Sequence, residues 1–313
     1  MGIEVINYNL DIMIGLRSIE LEKRGVLAVT GEDALEFLQS LVSNDVSLVD
    51  SEHTIYAALL TPQGKFLHDF MISRHGDSYL IDCALERLVD LAQRLITYRL
   101  RANIELFDAT EDWRVMALLG AGAAEAFELT NMPGATAPLN GDGLIYRDPR
   151  PAMPGLRALL PRSQDLAALA ERGFAVASIE DYEQCRIAAG VPDGSHDMTV
   201  GKSTLMEFGF EALHGVDFSK GCYVGQELTA RTKYRGLVRR QLKRVTLDGA
   251  LPPVGTPIMV NGKEAGEICS GFGDKALALL RIDRSDEAAA KGFPLTVGTT
   301  TLHLAETGES ETC

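Results

Sequence analysis

Residues 220–227 read KGCYVGQE, and the chain changes character on either side of them. Before this stretch, β-rich runs alternate with segments of helical spacing. After it, short apolar runs are separated by turn signals. Gly221 and Gly225 allow close backbone approach. Residues 225–234, GQELTARTKY, predict a helix that Gly236 ends. Cys222 therefore stands just ahead of a helix N-terminus, whose positive dipole end, with Lys220 nearby, favours a thiolate. A thiolate can act as a nucleophile, a redox-sensitive group or a soft metal ligand; the alternative is a small buried cysteine in a tight passage. Lys220 is a flexible cation suited to a carboxylate or phosphate, or simply an exposed charge. Gln226 and Glu227, on the first helical turn, cap the helix or face a ligand.

Moving toward the N-terminus, residues 178–189 predict a helix. It starts at Ser178 with Glu180 and Asp181 close behind, carries Tyr182, Cys185 and Arg186, and stops before Gly190 and Pro192. Residues 121–161 are rich in Gly, Pro and small side chains, which predicts connections and edge strands. Residues 54–60 and 66–74 are β-rich runs on either side of Thr61-Pro62-Gln63-Gly64, the pattern of a hairpin. Further strands are expected at 16–21, 26–30, 78–83, 104–107 and 115–119, and helices at 31–42 and 85–98. Lacking a long βαβ rhythm, this order predicts an α+β fold with antiparallel sheet.

On the C-terminal side, Pro252-Pro253, Gly255, Asn261-Gly262, Gly266, Gly271, Gly273-Asp274 and Gly292 punctuate short apolar runs, predicting a small β-barrel or sandwich. Asn261-Gly262 marks a tight hairpin that needs positive φ at both central residues. Residues 306–313 are expected to fray. The division expected is 1–235 and 236–313.

The 313 residues exceed one typical domain of about 150, and 46% hydrophobic with 24% charged residues is the balance of a soluble globular protein. A net charge of −14 repels phosphate backbones, so nucleic acid is not expected as a partner. Arg231, Lys233, Arg235, Arg239, Arg240, Lys243 and Arg244 form the local exception, either a solvated, salt-bridged face or a site for an anion. No run approaches the roughly 18 apolar residues of a membrane span. The first 21 residues lack a basic leader pattern, which makes the cytoplasm the expected compartment. Cys83, Cys185, Cys222, Cys269 and Cys313 never form a CxxC pair, arguing against a disulfide scaffold or zinc ribbon. His53, His68 and His196 have no metal-like spacing, so no resident metal is expected.

FSKGCYVGQELTAR at 218–231, with EQCRIAAGVPDG at 183–194, resembles the YgfZ family of folate-binding iron–sulfur cluster assembly proteins, whose signature is K-G/C-C-Y-x-G-Q-E. ELTARTKYRG looks especially similar to the mitochondrial branch of that family, which serves 4Fe-4S cluster assembly. VTGEDALEFLQSLVSNDV at 29–46 and LLTPQGKFLHDFMI at 59–72 look like the opening domain of the wider superfamily that includes the glycine cleavage T-protein. The resemblance implies a folate-binding region of two interleaved sub-domains, made of antiparallel sheets and helices, followed by a small C-terminal β-barrel. It implies tetrahydrofolate as cofactor, and iron–sulfur assembly proteins and their client enzymes as partners. By the same resemblance Cys222 is the functional thiol with Lys220 beside it, and Glu207, Tyr182, Arg186, Tyr223, Gln226, Glu227 and Arg231 are the folate-binding candidates. Glu207 matches the acidic residue that faces the pterin in T-protein-like relatives, with a surface glutamate as the other reading; Tyr182 packs on folate or in the core, and Arg186 meets a folate carboxylate or an acidic neighbour. The T-protein carries paired aspartates where this chain has His68-Asp69, so one carboxylate remains for transfer chemistry. A tetrahydrofolate-dependent aminomethyltransferase or other one-carbon transferase is the alternative.

Overall fold

Ile55–Leu60 and Phe66–His75 pair antiparallel around the predicted turn, with Ile55 opposite Ile72 and Ala58 opposite Asp69. The computed structural model describes residues 15–139 and 141–305; the fraying expected at 306–313 and the reading of the first 14 residues lie outside them. Every residue of Ile55–Leu60 is buried, although it is an edge strand, because each face of its sheet meets a different core. Ile55, Ala57 and Leu59 point to one core and Tyr56, Ala58 and Leu60 to another, the period of two that a pleated strand imposes. This five-stranded sheet runs in the order Ile55–Leu60, Phe66–His75, Ser78–Ala84, Arg24–Thr30, Glu105–Asp108. Its outer face is covered by Phe37 and Leu38 of the helix Ala34–Gln39 and by Leu88, Leu91 and Leu95 of the helix Leu88–Arg99.

The inner face packs on a second, six-stranded sheet through Val26, Ala28, Met71 and Leu80 against Val115, Ala117, Leu144 and Leu159. That sheet is ordered Ala175–Val176, Arg17–Glu20, Trp113–Leu119, Leu156–Pro161, Gly143–Arg147, Thr136–Leu139. The chain thus starts in the second sheet, crosses to build the first, and returns, so the two sub-domains interleave as expected. Within residues 121–161, Thr136–Leu139 is an edge strand as expected, whereas Gly143–Arg147 and Leu156–Pro161 are interior strands. The Gly and Pro residues there flank two short apolar runs without interrupting them.

The third unit is a closed barrel of six strands between Arg240 and Leu304. Asn261 at φ 46° and Gly262 at φ 75° make its tight hairpin. Alternation again serves two cores: Ala276, Ala278 and Leu280 fill the barrel while Leu277 and Leu279 face the central core. The helix Ile282–Lys291, closed by Gly292 in the left-handed conformation, was not anticipated; its alanines and charges carry little apolar signal among so many turns. The barrel is fastened by Arg186, which donates to Asp197 at 3.0 Å and to Ser270 at 3.0 Å, and by the Ser270 N–H on Asp197 at 2.8 Å.

Between the two sheets lies a buried ion network. Arg157, on Leu156–Pro161, donates across the interface to Asp82 at 2.7 Å, to Asp148 at 3.3 Å and to the Tyr182 hydroxyl at 2.8 Å. Arg24 also binds Asp82, and Arg150 grips Asp148 with two bonds of 2.9 and 2.7 Å. Replacing Arg157 by Met strips buried carboxylates of a partner, and the expected loss is about 3 kcal/mol of unfolding free energy, read by urea denaturation. A second weak point is the contact between the hairpin turn and the 220–227 segment. Gly64 and Gly225 both have positive φ, and a Cβ on Gly225 would lie 2.6 Å from the Thr61 carbonyl oxygen and 3.0 Å from the Gly64 Cα. Gly225→Ala is expected to cost about 2 kcal/mol or more in the same assay, from the left-handed strain plus the clash.

Candidate functional site

The helix Gln226–Tyr234 begins one residue after Gly225, and the segment before it is pinned at every position but two. Asp217 turns the chain by accepting from the Ser219 and Lys220 backbone N–H groups. The Lys220 side chain then runs inward, where its ammonium donates to the backbone oxygens of Gln39 at 2.8 Å, Val42 at 2.7 Å and Asn44 at 2.7 Å. Burial pushes the Lys220 pKa down to about 8, with Asp45 and Asp217 acting the other way. Tyr223 is buried, its pKa pushed up to about 12 by that burial, with Thr229 beside its hydroxyl. Val224 packs on the outer core of the five-stranded sheet. Gly221 and Cys222 are left exposed at the tip.

Cys222 is the one exposed cysteine among the described residues. Cys83, Cys185 and Cys269 are buried, and burial pushes the Cys83 and Cys269 thiols up to about 12. Among the described cysteines the thiol at the tip is therefore the one a partner can reach, while thiolate formation is suppressed at Cys83 and Cys269. Among the described residues no group of three or more His, Cys, Asp or Glu side chains is arranged to hold a metal ion.

The other candidates do not gather in one cavity. Glu227 pairs with Arg231 at 2.7 Å on the exposed helix face, and Gln226 is half-buried at its start. Glu207 caps its own turn by accepting from the Thr204 N–H and hydroxyl at 2.9 Å each, and its second oxygen accepts from Arg240 at 3.0 Å. The Tyr182 hydroxyl is taken by Arg157. Arg186, 2% exposed, spends its donors on Glu183, Asp197, Ser270 and the Val191 carbonyl. Asp69 accepts from the Tyr56 hydroxyl at 2.9 Å, and Gly194 lies so close that a Cβ there would sit 2.0 Å from the other carboxylate oxygen. Burial raises the Asp69 pKa, opposed by Arg24. Its neighbour His68 is buried against Asp90 at 2.8 Å, and burial pushes its pKa down to about 4.

An open cleft of about 390 Å³ lies beside the 217–220 turn, walled in part by Asn44, Tyr56, His214, Asp217, Phe218 and Lys233. Asn44 is held by its amide donating to the Tyr56 and His214 carbonyls, both at 2.8 Å. Lys233 pairs with Glu211 and sits 3.9 Å from the Phe218 ring centroid. Asn44 and Phe218 lie inside the quoted stretches SLVSNDV and FSKGCY, but nothing in the linear pattern shows that they face one cleft. Of the basic run, Arg231, Lys233 and Arg240 form salt bridges, while Lys243 and Arg244 line a second cleft of about 480 Å³ between Gly190 and the barrel.

Residues 16–132 match the family model of the GCVT N-terminal domain, and residues 239–308 that of the CAF17 C-terminal β-barrel domain. The chain is 32% identical over 285 residues to the mouse mitochondrial iron–sulfur cluster assembly factor IBA57, covering 83% of this chain and 76% of that protein. It is 32% identical over 280 residues to the human protein of the same name, covering 83% and 76%. With the IBA57 homolog of Mycosarcoma maydis, also mitochondrial, identity is 31% over 308 residues, covering 83% and 72%. Among solved structures, the glycine cleavage system aminomethyltransferase T from Bartonella henselae superposes with a TM-score of 0.76 at 18% identity, covering 98% of this chain and 89% of that one, which shows a shared fold. The mitochondrial location of these relatives overturns the cytoplasmic expectation. That expectation rested on the lack of a secretory pattern, which does not distinguish one internal compartment from another. A chain built on the aminomethyltransferase T fold, closed by a CAF17-type barrel and about one-third identical to these assembly factors over most of its length belongs to the IBA57 family.

Proposed function

We propose that this protein serves iron–sulfur cluster assembly, with Cys222 offering one thiolate to a cluster whose remaining ligands come from another protein. The observation that carries this reading is the exposed Cys222 tip, held between an anchored Lys220 and the Gly225 contact with the hairpin turn. Thiolates are the customary ligands of such clusters. The cluster is cargo here, and assembly proteins and client iron–sulfur enzymes are the partners. One-carbon transfer is the less favoured activity: it asks for an available carboxylate at Asp69, and that group is bonded to Tyr56 and covered by Gly194. The test mixes the purified protein with a cluster-loaded carrier and follows the visible absorption and elution of a joint complex. Cys222→Ala is expected to keep its melting temperature and to lose the cluster-bearing complex; an Ala variant that forms the complex like wild type overturns the reading.

Tetrahydrofolate binding is the finer reading, and the fold supports it together with the cleft beside Asn44. The residues named from sequence for folate fit poorly, since Glu207, Tyr182 and Arg186 do not line this cleft. The cleft residues fit better, and its 390 Å³ falls within the usual range for small-molecule sites. Phe218 and Tyr56 would wall a pterin, Asp217 would meet its amino-pyrimidine edge, and Lys233 the glutamate tail. Bound there, tetrahydrofolate would supply one-carbon carrying capacity. Calorimetric titration with tetrahydrofolate is expected to give saturable binding that weakens about tenfold in Lys233→Ala, the loss of one charged contact. No saturable heat with wild type, or equal affinity in the variant, removes the cleft as the folate site.

A further inference from the structure

The motif lysine does not face solvent, the cleft or the thiol. Its ammonium has three hydrogens, and three backbone oxygens, those of Gln39, Val42 and Asn44, stand within 2.7 to 2.8 Å of Nζ. These oxygens belong to the end of the helix Ala34–Gln39 and the turn after it, where helix carbonyls lack intrahelical partners and the dipole favours a cation. The turn is itself firmly fixed. Val42 bridges to Leu59, the Ser43 N–H bonds the Ala58 carbonyl at 2.9 Å, and the Ser43 hydroxyl bonds the Gly215 carbonyl at 2.6 Å. Gln39 closes it from within, donating to Asp45 at 2.9 Å and accepting from the Val46 N–H at 2.7 Å.

We infer that Lys220 is a positioning residue for Cys222: its ammonium is the resident cation of a three-carbonyl cage, and filling the cage fixes where the Gly221–Cys222 tip leaves the protein. Shape matters as much as charge. Three oxygens converging on one point suit a compact ammonium, while a planar guanidinium directs its donors along a fixed fork. The inference rests on Cys222 being the working thiol, as proposed above, but its test uses no cluster, so the two can fail separately.

The test attaches a trifluoromethyl label to Cys222 in the full chain, with Cys313→Ser so that labelling is confined to the exposed tip, and records the fluorine NMR line. Wild type is expected to give a line displaced from that of the urea-unfolded chain. Lys220→Ala, Lys220→Met and Lys220→Arg are each expected to move the line toward the unfolded position. In Lys220→Ala, n-propylammonium, which replaces the missing stem and ammonium, is expected to restore the wild-type line, and neutral n-propanol is not. Lys220→Met and Lys220→Arg keep a long side chain in the channel, so the cage remains testable if the Ala variant fails to fold. A wild-type line in Lys220→Met shows that the tip does not depend on the cage and overturns the inference. A wild-type line in Lys220→Arg shows that positive charge alone suffices and overturns it equally, as does failure of propylammonium to restore a folded Ala variant.

Discussion

Arg157 reaching from one sheet to Asp82 on the other is the contact on which the arrangement of the two-sheet region depends. Two sheets with apolar inner faces can slide over one another at little cost, because hydrophobic burial has no direction. A buried guanidinium shared between Asp82, Asp148 and Tyr182 does have direction. Misplacing it by one residue would leave ions buried without partners, at a cost of several kcal/mol. The network thus works as a register device more than as a source of stability. It sets Tyr182, and with it the helix Ile179–Ala188 that carries Arg186 to the barrel.

Once the sheets are in register, the hairpin edge and the 220–227 segment fit together at two points. Ile55–Leu60 would otherwise be an open edge, and Val42 and Ser43 cover it. The backbone that covers it also turns its own carbonyls toward Lys220. Downstream, Gly225 rests on the turn that closes the hairpin. A single edge strand therefore organises both flanks of the Cys222 tip, which explains why motif residues far apart in the chain belong to one construction.

Much of this was legible in the sequence where local chemistry decides. The hairpin around Thr61-Pro62-Gln63-Gly64, the Asn261-Gly262 turn and the helix begun by Ser178 and Asp181 rest on residues whose backbone preferences are strong. The family followed from one dense motif, and its fold with it. Direction was less legible. Lys220 and Glu207 read as solvent-facing or ligand-facing charges, yet each is turned inward onto protein partners. Part of the reason is that Lys220 is received by main-chain oxygens, which every residue possesses and no residue type advertises. Asp148 stayed hidden for a similar reason, since its pairing with Arg157 depends on a sheet contact absent from linear spacing. The interior strands Gly143–Arg147 and Leu156–Pro161 were masked by the glycines and prolines around them.

The exposure of a lone thiol at the tip has a consequence in mass action. Three of the described cysteines are sealed in cores, so on the proposed role the described residues offer a cluster one cysteine, Cys222, and a second molecule supplies the rest of its ligands. Occupancy then follows the product of two concentrations, and dilution alone dismantles the assembly. On that proposal the cargo is held only while the partner is present, and release requires nothing more than separation of the pair.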